Sequence, residues 1–350
     1  MEKFQETIWK ETEYTYEAAY GFVPNIMAYL HEDSLTETLD KGVKDQDDAS
    51  SSHQPKDETP QRPCLLIAPG GGYCMTVPPE GEVVAKEFFY RGMNCFVLTY
   101  TTDITMSVPL RTQPMSDLSR AVRYIRANAS RFGIDPHQIT ICGFSAGAHC
   151  CASLGVHFAD IEDPDPKLQA ISNRPDAMIL SYPVITSGPY THEGSMQALL
   201  GKDASAEERA YYSCENYVTK DTPPCFIWQT VEDDLVPVEN SMMFSAKCRE
   251  AGVPYTYHAF PRGWHGLSVY NNAWRNGDFG EPYTMDQVVR AVHAVKEGRG
   301  IRVSPQRCQE LEEQFADNEE AVPQIAPLEY PDVAMWPQLA EVWLTSVFTE

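Results

Sequence analysis

The feature that most constrains this chain is a Gly-Phe-Ser-Ala-Gly pentapeptide at residues 143–147, because of what flanks it. The preceding residues 138–142 are apolar and β-branched, which predicts a buried strand, and residues 148–156 predict a packed helix. A serine between two glycines at a strand-to-helix turn is the pattern of a nucleophile elbow, a turn too sharp for bulky neighbours. The sequence therefore predicts that Ser145 is a nucleophile held out over the edge of a sheet.

A second glycine cluster, at residues 70–72, directly follows an apolar run at 64–68 that predicts another buried strand. Consecutive glycines allow the backbone to approach a ligand closely and leave N–H groups free to point at it. We expect the amides of Gly71 and Gly72 to form an oxyanion hole together with the amide of Ala146, which follows the nucleophile. A flexible surface turn is the alternative interpretation of the same glycines.

A carboxylate that could orient a histidine is expected where a further predicted strand, residues 224–229, ends. Three acids follow that strand in succession. Asp233 is preferred because a Val-Pro pair follows it at the spacing usual for a triad acid. Asp234 is the second choice and Glu232 the third. The alternative interpretation is a solvated acidic turn, which would account for the two acids that are not catalytic.

The chain has nine histidines, and His265 is the one that best fits a general base. It lies in a loop after a predicted strand at 254–260, where a side chain can reach both an acid and a nucleophile. His258 lies within that strand and His149 lies on the elbow helix, so we expect both to be structural. A serine, a histidine and an aspartate in this chain order predict covalent attack on an acyl carbonyl.

From residue 64 onward, predicted strands alternate with predicted helices, which implies a mostly parallel sheet with helices on both faces. Near the N-terminus, alternating aromatic pieces at 14–16 and 26–30 predict an antiparallel pair of edge strands. The predicted parts are edge strands at 1–32, an acidic mobile insertion at 33–61, a core at 62–300 and a C-terminal extension at 301–350.

Two segments lie outside the alternating plan. Residues 184–222 predict a small lid over the pocket, with a pair of helices at about 195–217. Apolar residues between 330 and 348 predict an amphipathic helix that packs on the core or on a partner subunit, so a homo-oligomer is one expectation.

Composition excludes some classes of partner. The formal net charge of −23 argues against nucleic acid and against anionic membrane surfaces. The ten cysteines include no Cys-x-x-Cys pair, and no ligand set accompanies the acids at 232–234, so we expect no metal and no cofactor. The sequence shows neither a secretory leader nor an apolar run of about eighteen residues, which predicts a cytoplasmic protein with no membrane segment.

Four segments, at 69–73, 143–149, 233–241 and 264–266, resemble the α/β-hydrolase esterases often called acetylesterases or acetylxylan esterases. The resemblance spans about residues 62–297. It implies the α/β-hydrolase fold, with a mostly parallel central sheet, helices on both faces and a small lid insertion. It further implies that the substrate is a short acyl ester, such as an acetyl group on a sugar hydroxyl, carried by a small molecule or an oligosaccharide.

Substrate contacts are expected from side chains near the predicted mouth of the pocket. His192 lies in the lid segment and could line the pocket. Tyr73 and Trp264 flank the oxyanion loop and the base, and their rings would suit stacking on a sugar. The other aromatic candidates at the mouth are Tyr190, Tyr270 and Trp274. The alternative interpretation is that these aromatic side chains simply pack the lid.

Three other functions remain open from the sequence. An amidase of the arylformamidase type, or a peptidase, would use the same serine, histidine and aspartate on a different leaving group. A non-catalytic binding protein on a hydrolase scaffold would be expected to lack one of the three. A metal-dependent hydrolase would need ligands that do not accompany residues 232–234.

Overall fold

The structure is a computed structural model that describes residues 1–35, 61–301, 303–314 and 329–349. Of the acidic insertion expected at 33–61, residues 36–60 lie outside the described residues, so that prediction stays a prediction. Within the described residues, no helix is long and apolar enough to cross a membrane.

Eight strands form one sheet in the order β1-β2-β4-β3-β5-β6-β7-β8. β2 runs antiparallel to both of its neighbours, and the strands from β4 to β8 pair in parallel. The α/β-hydrolase fold predicted above is confirmed. The strands are β1 Glu2–Thr7, β2 Asn25–Leu30, β3 Arg62–Ala68, β4 Asn94–Thr99, β5 Ile134–Phe144, β6 Ala177–Ser181, β7 Cys225–Thr230 and β8 Tyr255–Phe260.

The N-terminal strand pair exists, but one of its strands was misplaced by the sequence analysis. The strand that pairs with β2 is β1, and residues 14–16 form no strand. Tyr14 and Tyr16 serve instead as anchors. The Tyr14 hydroxyl lies 2.8 Å from Thr101 Oγ1, and the Tyr16 hydroxyl donates to the Val108 carbonyl at 2.7 Å. The alternating aromatic residues correctly indicated side chains that pack inwards. Tyr14 and Tyr16, however, bind loop residues rather than a neighbouring strand.

Helices cover both faces of the sheet. They are α1 Glu82–Phe89, α2 Gln113–Ala127, α3 Ala129–Phe132, α4 Ala146–His157, α5 Pro166–Gln169, α6 Glu193–Leu200, α7 Ala206–Tyr211, α8 Glu239–Ala251, α9 Asn272–Arg275, α10 Asp286–Lys296, α11 Pro305–Gln314 and α12 Trp336–Thr349. Side chains on a strand alternate between faces. Accordingly Leu66 belongs to the core cluster that includes residues of α2, α4 and α8, whereas Leu65 and Ile67 belong to a second cluster that includes residues of α1 and α12.

The segment 184–222 joins β6 to β7 and contains α6 and α7. Ser205 and Glu208 form a reciprocal capping box that begins α7, because each side chain accepts from the other residue's backbone N–H. Leu199 and Leu200 of α6 are buried in the same core cluster as α2 and α4. The carbonyl of Leu199 also accepts from the Arg111 N–H at 2.7 Å, which ties this segment to the body of the protein.

The C-terminal helix α12 packs on the same chain as part of the core. Trp336 is fully buried, and its ring stacks on Trp228 of β7 with centroids 5.2 Å apart. The Trp336 ring also contacts Phe144 of β5 and Phe88 of α1, and its indole N–H donates to the Ser268 carbonyl at 2.8 Å. The helix α12, which was predicted as part of a C-terminal extension, therefore covers one face of the sheet, where it packs on β5 and β7.

Replacing Trp336 with alanine should lower the free energy of unfolding by about 3–5 kcal/mol, since it empties a large buried volume and leaves the Ser268 carbonyl without its donor. The matched control is Val342→Ala on the same helix. Val342 is 66% exposed, so this change should stay within about 0.5 kcal/mol of wild type. Urea denaturation of the three proteins measures both effects, and equal losses in the two variants would contradict a core role for Trp336.

Candidate active site

The turn at Ser145 is backbone-strained and is made possible by glycines on either side. β5 ends at Phe144 and α4 begins at Ala146, and Ser145 between them has φ 52° and ψ −118°. A Cβ atom at Gly143 would lie 2.4 Å from the Gly147 carbonyl oxygen, and one at Gly147 would lie 2.1 Å from the Ala68 carbonyl oxygen. Neither position tolerates a side chain, which is the physical basis of the pentapeptide pattern.

His265 lies within hydrogen-bond distance of both Ser145 and Asp233. The distance from Ser145 Oγ to His265 Nε2 is 2.8 Å, and that from His265 Nδ1 to Asp233 Oδ2 is also 2.8 Å. The three residues follow β5, β8 and β7, whose carboxyl ends meet at one edge of the parallel sheet. Because a carboxylate accepts at Nδ1, that nitrogen carries the proton and Nε2 can accept from the serine hydroxyl.

Asp233 is held by the backbone of its own turn, and this distinguishes it from its neighbours. Its Oδ1 accepts from the N–H groups of Leu235 and Val236 at 3.0 and 2.8 Å. The Gln229 side chain donates to its Oδ2 at 3.2 Å, and the Asp233 side chain is fully buried. Asp234 is exposed and accepts from the His265 backbone N–H at 3.1 Å. Among the three acids predicted here, the geometry therefore favours Asp233 as the partner of the imidazole.

In the loop after β3, residues 69–77, which we call the oxyanion loop, the amides of Gly71 and Gly72 have no acceptor among the described residues. The Gly70 carbonyl accepts from the Val77 N–H at 3.0 Å, and the Gly71 carbonyl accepts from Cys74 at 3.0 Å. In a planar trans peptide the N–H points opposite to the preceding carbonyl. The N–H groups of Gly71 and Gly72 are thus turned away from these bonds, as expected of oxyanion-hole donors.

The Ala146 amide likewise has no acceptor among the residues that the structure describes. It is the first N–H of α4, and the preceding Ser145 carbonyl accepts from the His149 N–H at 3.0 Å inside the helix. The first N–H groups of a helix have no partner within it, and the helix dipole makes that end favourable for an anion. Gly70 brings the oxyanion loop to this point, since a Cβ atom there would lie 2.9 Å from Ser145 Cβ.

Tyr73 does not lie at the mouth of a pocket, so the prediction that it stacks on a substrate is wrong. Its side chain is only 1% exposed, and its hydroxyl lies 2.7 Å from His149 Nδ1. His149 Nε2 in turn lies 2.8 Å from the Tyr212 carbonyl, which requires that Nε2 donates and Nδ1 accepts. Tyr270 is likewise 1% exposed. Both rings belong to the core beneath the loops.

His192 lies where the lid segment approaches the oxyanion loop. Its Nδ1 is 2.7 Å from Ser195 Oγ, and that oxygen would lie 3.8 Å from a Cβ atom at Gly72. Burial lowers the pKa of His192. The structure thus brings His192 close to the oxyanion loop as a half-buried side chain.

Trp264 remains available at the surface beside His265, with 40% of its area exposed. Tyr330, which the sequence analysis did not single out, meets the Trp264 ring edge-to-face with centroids 5.3 Å apart. Of the other aromatic candidates, Tyr190 is 41% exposed and Trp274 packs on Phe279 and Tyr270. Tyr330 was missed because its sequence neighbours carry no motif, and only the folded chain places it here.

Two further residues that the sequence analysis missed are Glu80 and Tyr182, both buried next to the site. Glu80 accepts from the Gly70 N–H, and the Tyr182 ring lies 4.8 Å from the His265 ring. No cluster of three or more histidine, cysteine, aspartate or glutamate side chains within the described residues could hold a metal ion.

The sheet order, the elbow and the serine–histidine–aspartate arrangement define a member of the α/β-hydrolase class. A family model described as BD-FAE matches residues 52–248, more than half of the chain. The chain therefore belongs to the BD-FAE family, a family of α/β-hydrolase esterases. The matched range contains Ser145 and Asp233 and ends before His265.

Individual relatives are similar over most of this chain. Endo-1,4-beta-xylanase B of Butyrivibrio fibrisolvens is 51% identical over 84% of the chain, and the acetylxylan esterase of Xylanibacter ruminicola is 30% identical over 60%. The chain spans 42% of the length of each of these two proteins. The crystal structure of an acetyl ester-xyloside bifunctional hydrolase from Caldicellulosiruptor lactoaceticus superposes with a TM-score of 0.65 at 30% identity, covering 85% of this chain and 97% of that one.

Substitution should separate the roles of the two adjacent aspartates. Asp233→Asn should lower kcat for an ester by about four orders of magnitude, because the amide no longer holds the imidazole in the productive tautomer. Asp234→Asn keeps an acceptor for the His265 N–H and should cost less than about tenfold. Steady-state kinetics on p-nitrophenyl acetate measures both, and a larger loss in Asp234→Asn would reassign the acid.

The buried His149 should make stability depend on pH. Burial lowers its pKa from 6.5 to about 4, so below pH 6.5 the unfolded chain takes up a proton that the folded protein does not bind. This contribution is complete above pH 6.5 and is lost as the pH falls towards 4. Between pH 7 and 4.5 wild type should lose roughly 2–3 kcal/mol more than His149→Gln. Urea denaturation at both pH values tests this, and equal losses would contradict it.

Proposed function

We propose that this chain is a serine esterase that removes short acyl groups, chiefly acetyl, from sugar hydroxyls. The observation that carries the proposal is the continuous hydrogen-bonded path from Ser145 through His265 to a buried Asp233, next to the amides of the oxyanion loop and of the first turn of α4. The arrangement can activate an alcohol nucleophile and stabilise an oxyanion without a cofactor.

The reaction follows from the positions of these groups. Ser145 Oγ attacks the acyl carbonyl carbon while His265 Nε2 takes the hydroxyl proton, and Asp233 stabilises the imidazolium. The carbonyl oxygen becomes an oxyanion that accepts from the amides of Gly71, Gly72 and Ala146. The tetrahedral intermediate expels the sugar alkoxide, which leaves as an alcohol with the proton from His265. Water, deprotonated by His265, then attacks the acyl-serine and releases the acid and the free enzyme.

The sugar acetate is supported by two independent considerations. The relatives that match include an acetylxylan esterase, whose name gives acetylated xylan as its substrate, and a bifunctional hydrolase whose title names acetyl esters and xylosides. Beside His265, the pair of Trp264 and Tyr330 provides an exposed aromatic surface, and aromatic rings pack well on the apolar faces of sugars. His192, which bonds Ser195 beside Gly72 of the oxyanion loop, supplies a further polar side chain.

The expected setting and partners remain proposals. We infer a reducing, cytoplasmic location, which is supported by ten free cysteines, eight of them buried. The net charge of −23 supports an uncharged ester, small or oligosaccharide, over nucleic acid as the partner. The homo-oligomer expected from the sequence stays a proposal, and α12, which the sequence analysis offered for such an interface, packs in this chain's own core.

The decisive experiment compares p-nitrophenyl acetate, butyrate and octanoate with acetylated xylo-oligosaccharide, using wild type and Ser145→Ala. We expect the acetate to be preferred and the oligosaccharide to be deacetylated. Removal of the nucleophile should lower kcat by about six orders of magnitude for every substrate. Undiminished turnover by Ser145→Ala would contradict the mechanism itself.

Two further arms of the same experiment separate the substrate from the mechanism. Trp264→Ala should raise KM for the oligosaccharide by roughly 2–10-fold and leave p-nitrophenyl acetate unaffected, because only the sugar would contact that ring. Acetanilides test the amidase alternative. Faster cleavage of the anilide than of the matched ester would keep the serine mechanism and replace the proposed substrate.

A further inference from the structure

Glu80 is a buried carboxylate that the reaction scheme above does not use. It ends the short 3-10 turn Pro78–Glu80 before α1 and is 4% exposed. Both of its oxygens accept short hydrogen bonds, Oε2 from the Gly70 N–H at 2.6 Å and Oε1 from the Tyr182 hydroxyl at 2.6 Å. Burial raises its pKa, and these two hydrogen bonds oppose that effect. Among the described residues it forms no ion pair with a lysine or arginine.

A charged group buried without a cation is costly, and it persists where its hydrogen bonds compensate. The two donors belong to different loops. Gly70 is in the oxyanion loop, and Tyr182 follows β6. The Tyr182 hydroxyl also accepts from the Ser268 N–H at 3.2 Å, in the loop that carries His265. Glu80 thus connects the oxyanion loop with the loop of the general base.

The hydrogen bond between Glu80 and Gly70 lies next to the Ser145 side chain. A Cβ atom on Gly70 would lie 2.8 Å from Glu80 Oε2 and 2.9 Å from Ser145 Cβ, so the Gly70 backbone fills the space between the two side chains. Its N–H is held by Glu80 and its carbonyl by Val77. With both ends of this residue fixed, the plane of the next peptide is fixed, and with it the direction of the Gly71 N–H.

We propose that Glu80 is a positioning residue, which holds the oxyanion loop so that its free amides point at the carbonyl oxygen attacked by Ser145. The proposal rests on the esterase function proposed above. For kcat, the length of the Glu80 side chain, which lets it reach the Gly70 N–H, matters more than its charge. Loss of one oxyanion donor costs about 100–1,000-fold in kcat, which sets the scale of the effect.

The test uses the full chain with p-nitrophenyl acetate and two conservative variants that separate reach from charge. Glu80→Gln keeps an oxygen at the position that accepts from Gly70 and removes the charge, and should keep kcat within about fivefold. Glu80→Asp keeps the charge but is one methylene too short, and should lower kcat by roughly 30-fold or more. KM should change by less than about threefold in both, since the amides act on the transition state.

Inhibition by methylboronic acid distinguishes a positioning role from a merely structural one, because its boron becomes tetrahedral when Ser145 Oγ adds to it and then resembles the oxyanion intermediate. Its Ki should rise in Glu80→Asp by the same factor by which kcat falls, and should stay near wild type in Glu80→Gln. Tyr182→Phe is the matched control, because it removes the other hydrogen bond of Glu80 and leaves the Gly70 contact in place. It should keep kcat within about tenfold, and the melting temperature of each protein is measured alongside.

The proposal is overturned if Glu80→Asp keeps wild-type kcat, if Glu80→Gln loses as much as Glu80→Asp, or if the boronate Ki stays constant while kcat falls. Ser145→Ala in the same assay keeps the two proposals apart. Activity that survives in Ser145→Ala contradicts the esterase mechanism, whereas an inactive Ser145→Ala with a fully active Glu80→Asp contradicts the role of Glu80 alone.

Discussion

The left-handed backbone at Ser145 is the constraint on which the rest of the site depends. It turns the chain from β5 into α4 within one residue, and the turn exists only because the carbonyls of Ala68 and Gly147 can sit where side chains would otherwise be. The oxyanion loop is therefore packed closely against the first turn of α4 by backbone contacts. These contacts place the nucleophile, the helix amides and the glycine loop next to one another, and the Glu80 side chain adds a hydrogen bond to the Gly70 N–H.

Neutral donors, rather than cations, hold the carboxylates of this site. Asp233 accepts from two backbone N–H groups and one amide side chain, and Glu80 accepts from one backbone N–H and one hydroxyl. An arginine paired with Asp233 would compete with the imidazole for the same oxygens and weaken the stabilisation of His265 during proton transfer. Backbone donors fix the orientation of the acid and leave its charge for the histidine.

The sequence predicted what is local and left unpredicted what depends on distant partners. Ser145, the glycine loop and His265 stand in short motifs whose neighbours determine their geometry, and the structure brings these residues together. Tyr73 lies in one of these motifs, but its burial depends on His149, seventy-six residues away. Glu80 and Tyr330 have no motif, since their partners come from other loops. The strand β1 was missed because its residues, Glu2 to Thr7, are mostly polar, as suits an exposed edge.

Trp336 has a consequence for how this protein is made. Its ring fills a space between Phe88, Phe144 and Trp228, and all three precede it by more than one hundred residues. During synthesis from the N-terminus, the sheet face on which Trp336 packs remains exposed until α12 has left the ribosome. Contacts between residues so far apart in the chain also slow folding. Until α12 emerges, the apolar side chains of β5 and β7 on this face are open to chaperones and to aggregation.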